Sequence, residues 1–529
     1  MSKTSKRRRG KRAAVPVPGP DEILMAPLGG TCQIGSNATL YGHDGKWILV
    51  DLGQSFADEE EHPGVKSFVP DPVFAERLGD ALLAIVITHA HEDHIGALPL
   101  LAKRLGKPLL CSRFAGLLIR EKLREAGLES QVELREIQAG KPFDLGPFAI
   151  EPIAVAHSTA EPMAFAIRTK AGNILHTGDW KFDPDPLVGT PCDEAALRRF
   201  GDEGVLAMMC DSTNAGVEHS APSEADVRDG LTRAFARRKG AIAVAAFASN
   251  VGRVKAVAQA AAAHGRRVAL VGRSLLRAAE AAKACGYFDG LPGFLDEDQA
   301  VREDPSNLVY MVTGTQGEEK AALGKLAFGT HLRLSLQAGD TAILSARCIP
   351  GNEEKVEAMI EALRIRGVEV ITPSDVPSDS PIHASGHPGR PDLARMYALV
   401  RPRVAVPVHG TAEHLETHAQ LALSLGVGQA VVPEDFALIR LSGRKSGVIG
   451  RVRGGVLAWD GKVLRKWTPE AAALIKAEFD REMARRAARA ERQSRERQSR
   501  ERRHGPRPFA RSTPAPTVVV VKRRRRVSA

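Results

Sequence analysis

Aromatic residues make up only 5% of this 529-residue chain. Its core must therefore be built mainly from Ala, Val and Leu rather than from stacked rings. The six cysteines, Cys32, Cys111, Cys192, Cys210, Cys285 and Cys348, are scattered without paired spacing. That pattern excludes a disulfide framework and zinc-finger spacing, and it reads as reduced thiols in a cytoplasmic protein. Cys210 is read as a small packing residue rather than a nucleophile. No run of about 18 apolar residues occurs, which argues against a membrane span. The basic start leads into Val15-Pro16-Val17-Pro18-Gly19-Pro20 rather than an apolar signal core, so secretion is not expected.

What is abundant is positive charge, and it is unevenly placed. The net charge is +11, yet residues 1–13 alone carry seven Lys or Arg and no acid. Residues 480–529 carry seventeen Lys or Arg and five acids, which leaves −8 for the body between the tails. Basic tails bind polyanions by releasing counterions, with little sequence preference. They are expected to hold nucleic acid, a ribosome or an RNA-decay partner. With 43% hydrophobic residues the body has material for more than one core.

The densest chemistry is His89-Ala90-His91-Glu92-Asp93-His94, which follows the apolar run from Leu82 to Ile87. A run of that length suits a buried strand, which would place the polar groups on a loop at the strand end. Imidazole nitrogen with carboxylate oxygen suits zinc or manganese better than magnesium or calcium. Donors packed this closely can serve two metals, roughly 3.5–4 Å apart in two-metal hydrolytic sites.

Further motifs follow in order. Asp51 ends Trp47-Ile48-Leu49-Val50, and Ala156-His157-Ser158 and His176-Thr177-Gly178-Asp179-Trp180 lie downstream. Then come Cys210-Asp211-Ser212-Thr213-Asn214, Phe247-Ala248-Ser249-Asn250, Gly272-Arg273-Ser274, Thr313-Gly314-Thr315-Gln316-Gly317-Glu318 and Ile349-Pro350-Gly351-Asn352-Glu353. His383-Ala384-Ser385-Gly386-His387 and Pro407-Val408-His409-Gly410 complete the series.

This series resembles the metallo-β-lactamase fold carrying a β-CASP insertion, and over roughly residues 22–440 it is similar to the bacterial ribonuclease J family. The resemblance implies an α/β (α+β) protein, an αββα sandwich with an inserted doubly wound β-CASP domain. The expected divisions are a disordered basic arm at 1–21, sandwich at 22–203 and 375–445, the insertion at 204–374, and a basic C-terminal extension at 446–529. Two divalent ions are implied, zinc with manganese as the alternative. One would be held by His89, His91, His157 and Asp179, and the other by Asp93, His94, Asp179 and His409. Asp93 would orient the attacking water or take its proton, His387 would serve the leaving 3′-oxygen, and Asp211 joins them as catalytic. The loop His383, Ala384, Ser385, Gly386 and His387 and the segment Ser249, Asn250 and Val251 would bind substrate, with Arg273 and Ser274 along a phosphate track. Two positions depart from the pattern. Gln33 stands where the family usually has glutamate, and Thr411-Ala412-Glu413-His414 replaces Glu-x-x-His.

The implied activity is a 5′→3′ exoribonuclease that prefers 5′-monophosphate ends, with endonuclease activity, acting on single-stranded RNA as a homo-oligomer, dimer or tetramer. The alternatives are a DNA-directed β-CASP nuclease, a non-catalytic RNA-binding scaffold and a small-molecule hydrolase of the same superfamily. Local patterning predicts helices at 101–106 and 115–126 and strands at 149–155, 164–167 and 241–248. It further predicts a helix at 254–263, a strand at 267–271, one strand within 450–460 and a helix over 469–501. The apolar stripe from Ala471 to Phe479 would dock on the body or on a second subunit. A lone strand is predicted at Val518–Val521.

Overall fold

The computed structural model describes residues 15–349, 351–442 and 445–503. Most of the basic arm and the predicted strand Val518–Val521 lie outside these residues. Alternation of apolar side chains sets the layers. In the strand Lys46–Val50, Trp47 and Leu49 point to one face while Ile48 and Val50 point to the other. The strand belongs to an eight-stranded sheet ordered 447–451, 437–441, 23–29, 38–43, 46–50, 82–86, 109–111 and 134–136. A seven-stranded sheet, ordered 429–430, 404–408, 207–211, 172–176, 163–169, 148–154 and 143–145, packs against it. Ile48, Val50 and Val86 meet Phe165, Ile174, Met209 and Val406 between the sheets. Fully burying an aliphatic side chain of this size stabilises by roughly 1.5–3 kcal/mol, so this layer fixes the register of both sheets.

Helices cover the two outer faces. Trp47 and Leu49 pack with Phe74, Leu98, Leu101 and Phe114 from Val73–Leu78, Leu98–Leu105 and Arg113–Glu125. On the other side, Met208 and Cys210 pack with Leu197, Leu393, Met396 and Leu421 from Glu194–Asp202, Arg390–Val400 and Ala412–Ser424. The result is the expected αββα sandwich. Strand Ala207–Asp211 pairs with both Gly172–His176 and Val404–Val408, so the chain leaves the sandwich after Asp211.

The inserted unit is a five-stranded, all-parallel sheet ordered 267–271, 308–312, 242–245, 341–344 and 369–371. Ile242 and Val244 face Val254 and Val257 of helix Val251–Ala263, and Ala243 and Ala245 face the side of Met359 and Ile360 in helix Glu353–Ile365. Helices on both faces make it doubly wound. It docks on helix Arg113–Glu125, where Arg113 donates to the carbonyl of Ala284 at 3.0 Å, and Tyr287 donates at 2.8 Å to Glu161, a loop residue that also accepts from Phe114 N.

One prediction is corrected. The segment 450–460 is not one strand but parts of two strands in different sheets. Gly447–Arg451 edges the eight-stranded sheet, and Val456–Trp459 pairs with Ser67–Pro70 in a four-stranded sheet. Gly454 and Gly455 make the break, Gly455 with φ +156° and Gly454 pressed against the ring of Phe436. The long helix Pro469–Arg503 follows, and Ile475 and Phe479 seat its first turns over Gly64. Among the described residues, no helix is long and apolar enough to cross a membrane.

Candidate metal centre and phosphate loop

The strands of both sheets deliver their polar residues to one edge of the sandwich. Asp51 follows Lys46–Val50, His89 follows Leu82–Val86 and His157 follows Phe148–Ala154. Asp179 follows Gly172–His176, Asp211 ends its own strand and His409 follows Val404–Val408. His91 sits at the N-cap of the short helix Glu92–Ile95, which turns Asp93 and His94 back towards the sheet. Asp51 and His409 adopt positive φ of 61° and 56°, a region costly for residues with a Cβ. Gly53 is required by contact, because a Cβ there would lie 1.6 Å from the carbonyl oxygen of Asp93.

Three groups of potential ligands form, and Asp179 is in all of them: His89, His91, His157 and Asp179; Asp93, His94, Asp179 and His409; and Asp179, Asp211, His387 and His409. The ligand atoms within each group lie within 4.8 Å of one another. Asp179 Oδ2 is 3.8 Å from His89 Nε2, 3.8 Å from His157 Nε2 and 3.2 Å from His94 Nε2. His409 Nε2 is 3.0 Å from Asp93 Oδ2. All seven sequence-derived ligand candidates are therefore brought together.

Their orientations are fixed from behind. His94 Nδ1 meets Asp51 at 2.7 Å, and His89 Nδ1 meets the Thr88 hydroxyl at 3.0 Å. His157 Nδ1 donates to the Gly386 carbonyl at 2.7 Å, and His409 Nδ1 meets the Thr213 hydroxyl at 2.9 Å. In each case the other ring nitrogen is left for the centre, the arrangement that metal-ligating histidines commonly use. Asn37 holds the Asp93 carbonyl at 3.1 Å. Asp51 and Thr213 stand inside motifs of the sequence, and Asn37 follows Gln33 in the loop after Gly29, without any of them showing a role there. The signal was their fixed place in each motif, and the partners they orient lie as much as 196 positions away.

The residues fit divalent cations. His89 Nε2 is enclosed and has no hydrogen-bond partner. A buried polar atom left so costs about 1–3 kcal/mol, which a cation beside Asp179 would relieve. Burial, helped by neighbouring imidazoles, holds His89 and His157 well below the usual histidine range, so both keep a lone pair for ligation. Burial opposes charge on Asp179 as well, but His409 and His94 outweigh it and keep the carboxyl ionised. Burial also opposes charge on His94, and Asp179, Asp93 and Asp51 reverse it.

The loop 383–387 is tied directly to this centre. Besides the Gly386–His157 bond, His387 Nδ1 meets Asp211 Oδ2 at 2.7 Å, and its ring stacks 5.6 Å from that of His409. A Cβ on Gly386 would lie 2.7 Å from the His157 ring, so the close approach needs glycine. Ser385 Oγ accepts from Asn214 at 2.9 Å and from the His387 N–H at 3.2 Å, leaving its own proton for a ligand. His383 is turned towards the Ser345 carbonyl at 3.3 Å, and burial pulls its pKa down to about 3.

The segment 249–251 stands at the start of helix Val251–Ala263. Asn250 caps helix Val251–Ala263 by accepting from Arg253 N at 2.8 Å, and the Val251 side chain is fully buried. Only Ser249 keeps an uncommitted polar side chain, while Arg273 and Ser274 are exposed. A buried ion pair, missed from sequence, joins the two segments. Arg253 bonds Glu224 through Nε and Nη2, each at 3.0 Å, and also donates to Ser345 and to the Ala384 carbonyl. Gln33 makes no hydrogen bond to the ligand cluster, and Thr411 caps helix Ala412–Ser424. The two departures from the family pattern thus leave the ligand set intact. Trp180 is fully buried.

Comparisons with known proteins agree with this geometry. The family described as "Ribonuclease J, beta-CASP domain" matches residues 239–363. The "Metallo-beta-lactamase superfamily" matches 33–209, and the "Zn-dependent metallo-hydrolase RNA specificity domain" matches 380–433. The chain is 39% identical to ribonuclease J of Sinorhizobium meliloti, over 84% of this chain and 78% of that one. It is 41% identical to ribonuclease J of Mycolicibacterium smegmatis, over 85% of this chain and 80% of that one. A crystal structure of a protein of unknown function from Enterococcus faecalis has the same fold, with TM-score 0.55 and 18% identity, covering 79% of this chain and 100% of its own.

Proposed function

The chain belongs to the ribonuclease J family of metallo-β-lactamase/β-CASP nucleases, and from that premise we propose that it degrades single-stranded RNA from the 5′ end, prefers a 5′-monophosphate and also cuts internally. The observation that carries this reading is the shared hydrogen bonding of the loop 383–387 with the ligand cluster, through Gly386 to His157 and through His387 to Asp211. A terminal phosphate held by Ser385 would sit next to the hydrolytic centre. The relatives' name and the match to an RNA-specificity domain favour RNA over DNA. The donor set of imidazoles and carboxylates favours zinc, with manganese as the alternative. When bound, two such ions supply a nucleophile from water near neutral pH and offset the charge gathering on the phosphate. Asp93, a member of the second ligand group, would orient the water or take its proton.

The test uses 3′-labelled RNA with a 5′-monophosphate or a 5′-triphosphate. The monophosphate should be degraded about tenfold faster or more, because two further phosphates need room and countercharge that the loop does not offer. Ser385→Leu should slow this decay more than it slows internal cutting. Equal rates on both ends would show that the loop does not select the terminus.

The tails have a separate role in this proposal. Charges of +7 and +12 flank a body of −8, so long RNA should be captured mainly by the tails. Removing residues 1–13 and 480–529 should weaken binding and flatten the dependence of log K on log salt, since fewer counterions are released. An unchanged salt slope would assign the tails to another partner, such as a ribosome.

A further inference from the structure

The loop from Gly29 to Asn37 has one side on the metal centre and the other on a separate cavity. On the first side, the Gly30 carbonyl accepts from His409 N at 2.9 Å and the Asn37 amide lies 3.1 Å from His94 Nε2. On the second is a cavity of about 200 Å³ whose lining includes Gln33, Ser36, His62, Phe68, Asp435 and Trp467. His62, Phe68 and Trp467 form an edge-to-face cluster with ring centroids 5.0–5.4 Å apart. Trp467 belongs to the C-terminal extension and is placed by its N–H bond to the Val456 carbonyl at 2.8 Å.

Two polar groups in this cavity are only partly used. Asp435 Oδ1 accepts from the Thr31 amide at 3.1 Å and from the Thr31 hydroxyl at 2.5 Å. Asp435 Oδ2 has no hydrogen bond within the described protein, nor does the Gln33 amide. The space is smaller than the roughly 300–1,000 Å³ of sites that enclose a whole drug-sized ligand. It has room for a flat base whose ribose and phosphate stay outside. Aromatic walls stack on any base, so the choice among bases falls to Gln33 and Asp435. A carboxylate oxygen accepts from the N1–H and 2-amino group of guanine, and a glutamine amide donates to O6 or N7. Adenine would turn the lone pair of N1 towards the carboxylate.

We propose that this cavity is a guanine-binding subsite for the RNA substrate. The loop 29–37 meets the centre at Asp93, His94 and His409, whereas the phosphate loop meets it at His157 and at the Asp211–His387 pair. RNA anchored by its 5′-phosphate and crossing the centre would reach this cavity with a base on the 3′ side of the scissile bond. The assignment rests on the ribonuclease reading for its substrate, so the test includes a readout that needs no cleavage.

That readout is tryptophan fluorescence during titration with guanosine 5′-monophosphate or adenosine 5′-monophosphate, in chelator. The guanine nucleotide should quench about tenfold more tightly than the adenine one, and Trp467→Phe should abolish the signal. In parallel, single-turnover ladders on 5′-monophosphorylated oligoadenylate with one guanosine should show one register at which the step is about tenfold faster, and inosine should restore only part of the gain. Asp435→Asn and, separately, Gln33→Leu should bring the guanosine-to-adenosine ratio towards one. That ratio is taken within each variant and does not depend on how much of it folds. Equal quenching by both nucleotides overturns the proposal, as does a guanosine preference that survives both substitutions. If no RNA is cut at all, the ribonuclease reading fails, and the fluorescence titration still decides the subsite.

Discussion

Asp179→Ala should leave the protein with far less than two metals per chain and with hydrolysis reduced at least about a thousandfold, the scale on which removing a group shared by a catalytic unit acts. Asp179 is common to all three ligand groups, and its carboxylate faces imidazoles from four separate histidines. No other side chain in the centre can bridge both sets. Without it, the positive charge gathered beside His94 and His409, whether of an ion or of a ring, loses its main countercharge. Asp179→Asn keeps the shape without the charge. It should retain more folded protein than the alanine variant but bind metal almost as poorly. Elemental analysis of purified protein together with a chelator-sensitive cleavage assay checks this. Full metal stoichiometry in either variant, or activity indifferent to chelator in the parent, would remove the two-metal reading.

His89, His91, Asp93 and His94 were legible in the sequence because they share one loop after an apolar run, whereas His157, Asp179 and His409 entered through the resemblance of their motifs. The sandwich was legible through the resemblance of the motif series, while Trp47-Ile48-Leu49-Val50 is apolar throughout and only the fold shows which residue faces which layer. What was not legible depends on partners brought in by the tertiary fold. Arg253 reads as one more arginine in an alanine-rich helix, and only the return of the chain at Ser345 and Ala384 makes it the buried hub of the insertion. The side chains of Asn250 and Val251 serve a helix cap and a core, contacts that their motif does not display. The Gly454–Gly455 pair is a turn signal within 450–460, and reading that segment as one strand passed over it. Gln33 stands where the family usually has glutamate, and in the fold it lines a cavity together with Asp435, 402 positions later.

His387→Ala should lower kcat by about a hundredfold to ten-thousandfold, the range for losing a positioned general acid or base, with a much smaller change in KM. The pairing with Asp211 is the reason. Asp211 is fully buried and takes His387 Nδ1 at 2.7 Å, while the imidazole itself is 22% exposed. Nδ1 is thereby committed, and Nε2 is the nitrogen left to meet substrate. Burial alone would discourage charge on this ring, but the Asp211 carboxylate reverses that and keeps a proton available. Such a proton matters only if the 3′-oxygen needs one as it departs. An RNA with sulfur in place of the bridging 3′-oxygen leaves without protonation. The deficit of His387→Ala should therefore shrink to about tenfold or less on the sulfur substrate, while that of Asp179→Ala should not. Asp211→Asn should follow His387→Ala in direction, since an amide cannot hold the ring's proton in the same way. Measuring each variant on both linkages, in zinc and again in manganese, separates leaving-group chemistry from a preference of the metal for sulfur. If His387→Ala loses the same factor on both linkages in both metals, His387 stabilises charge at the centre and the proton for the 3′-oxygen comes from elsewhere.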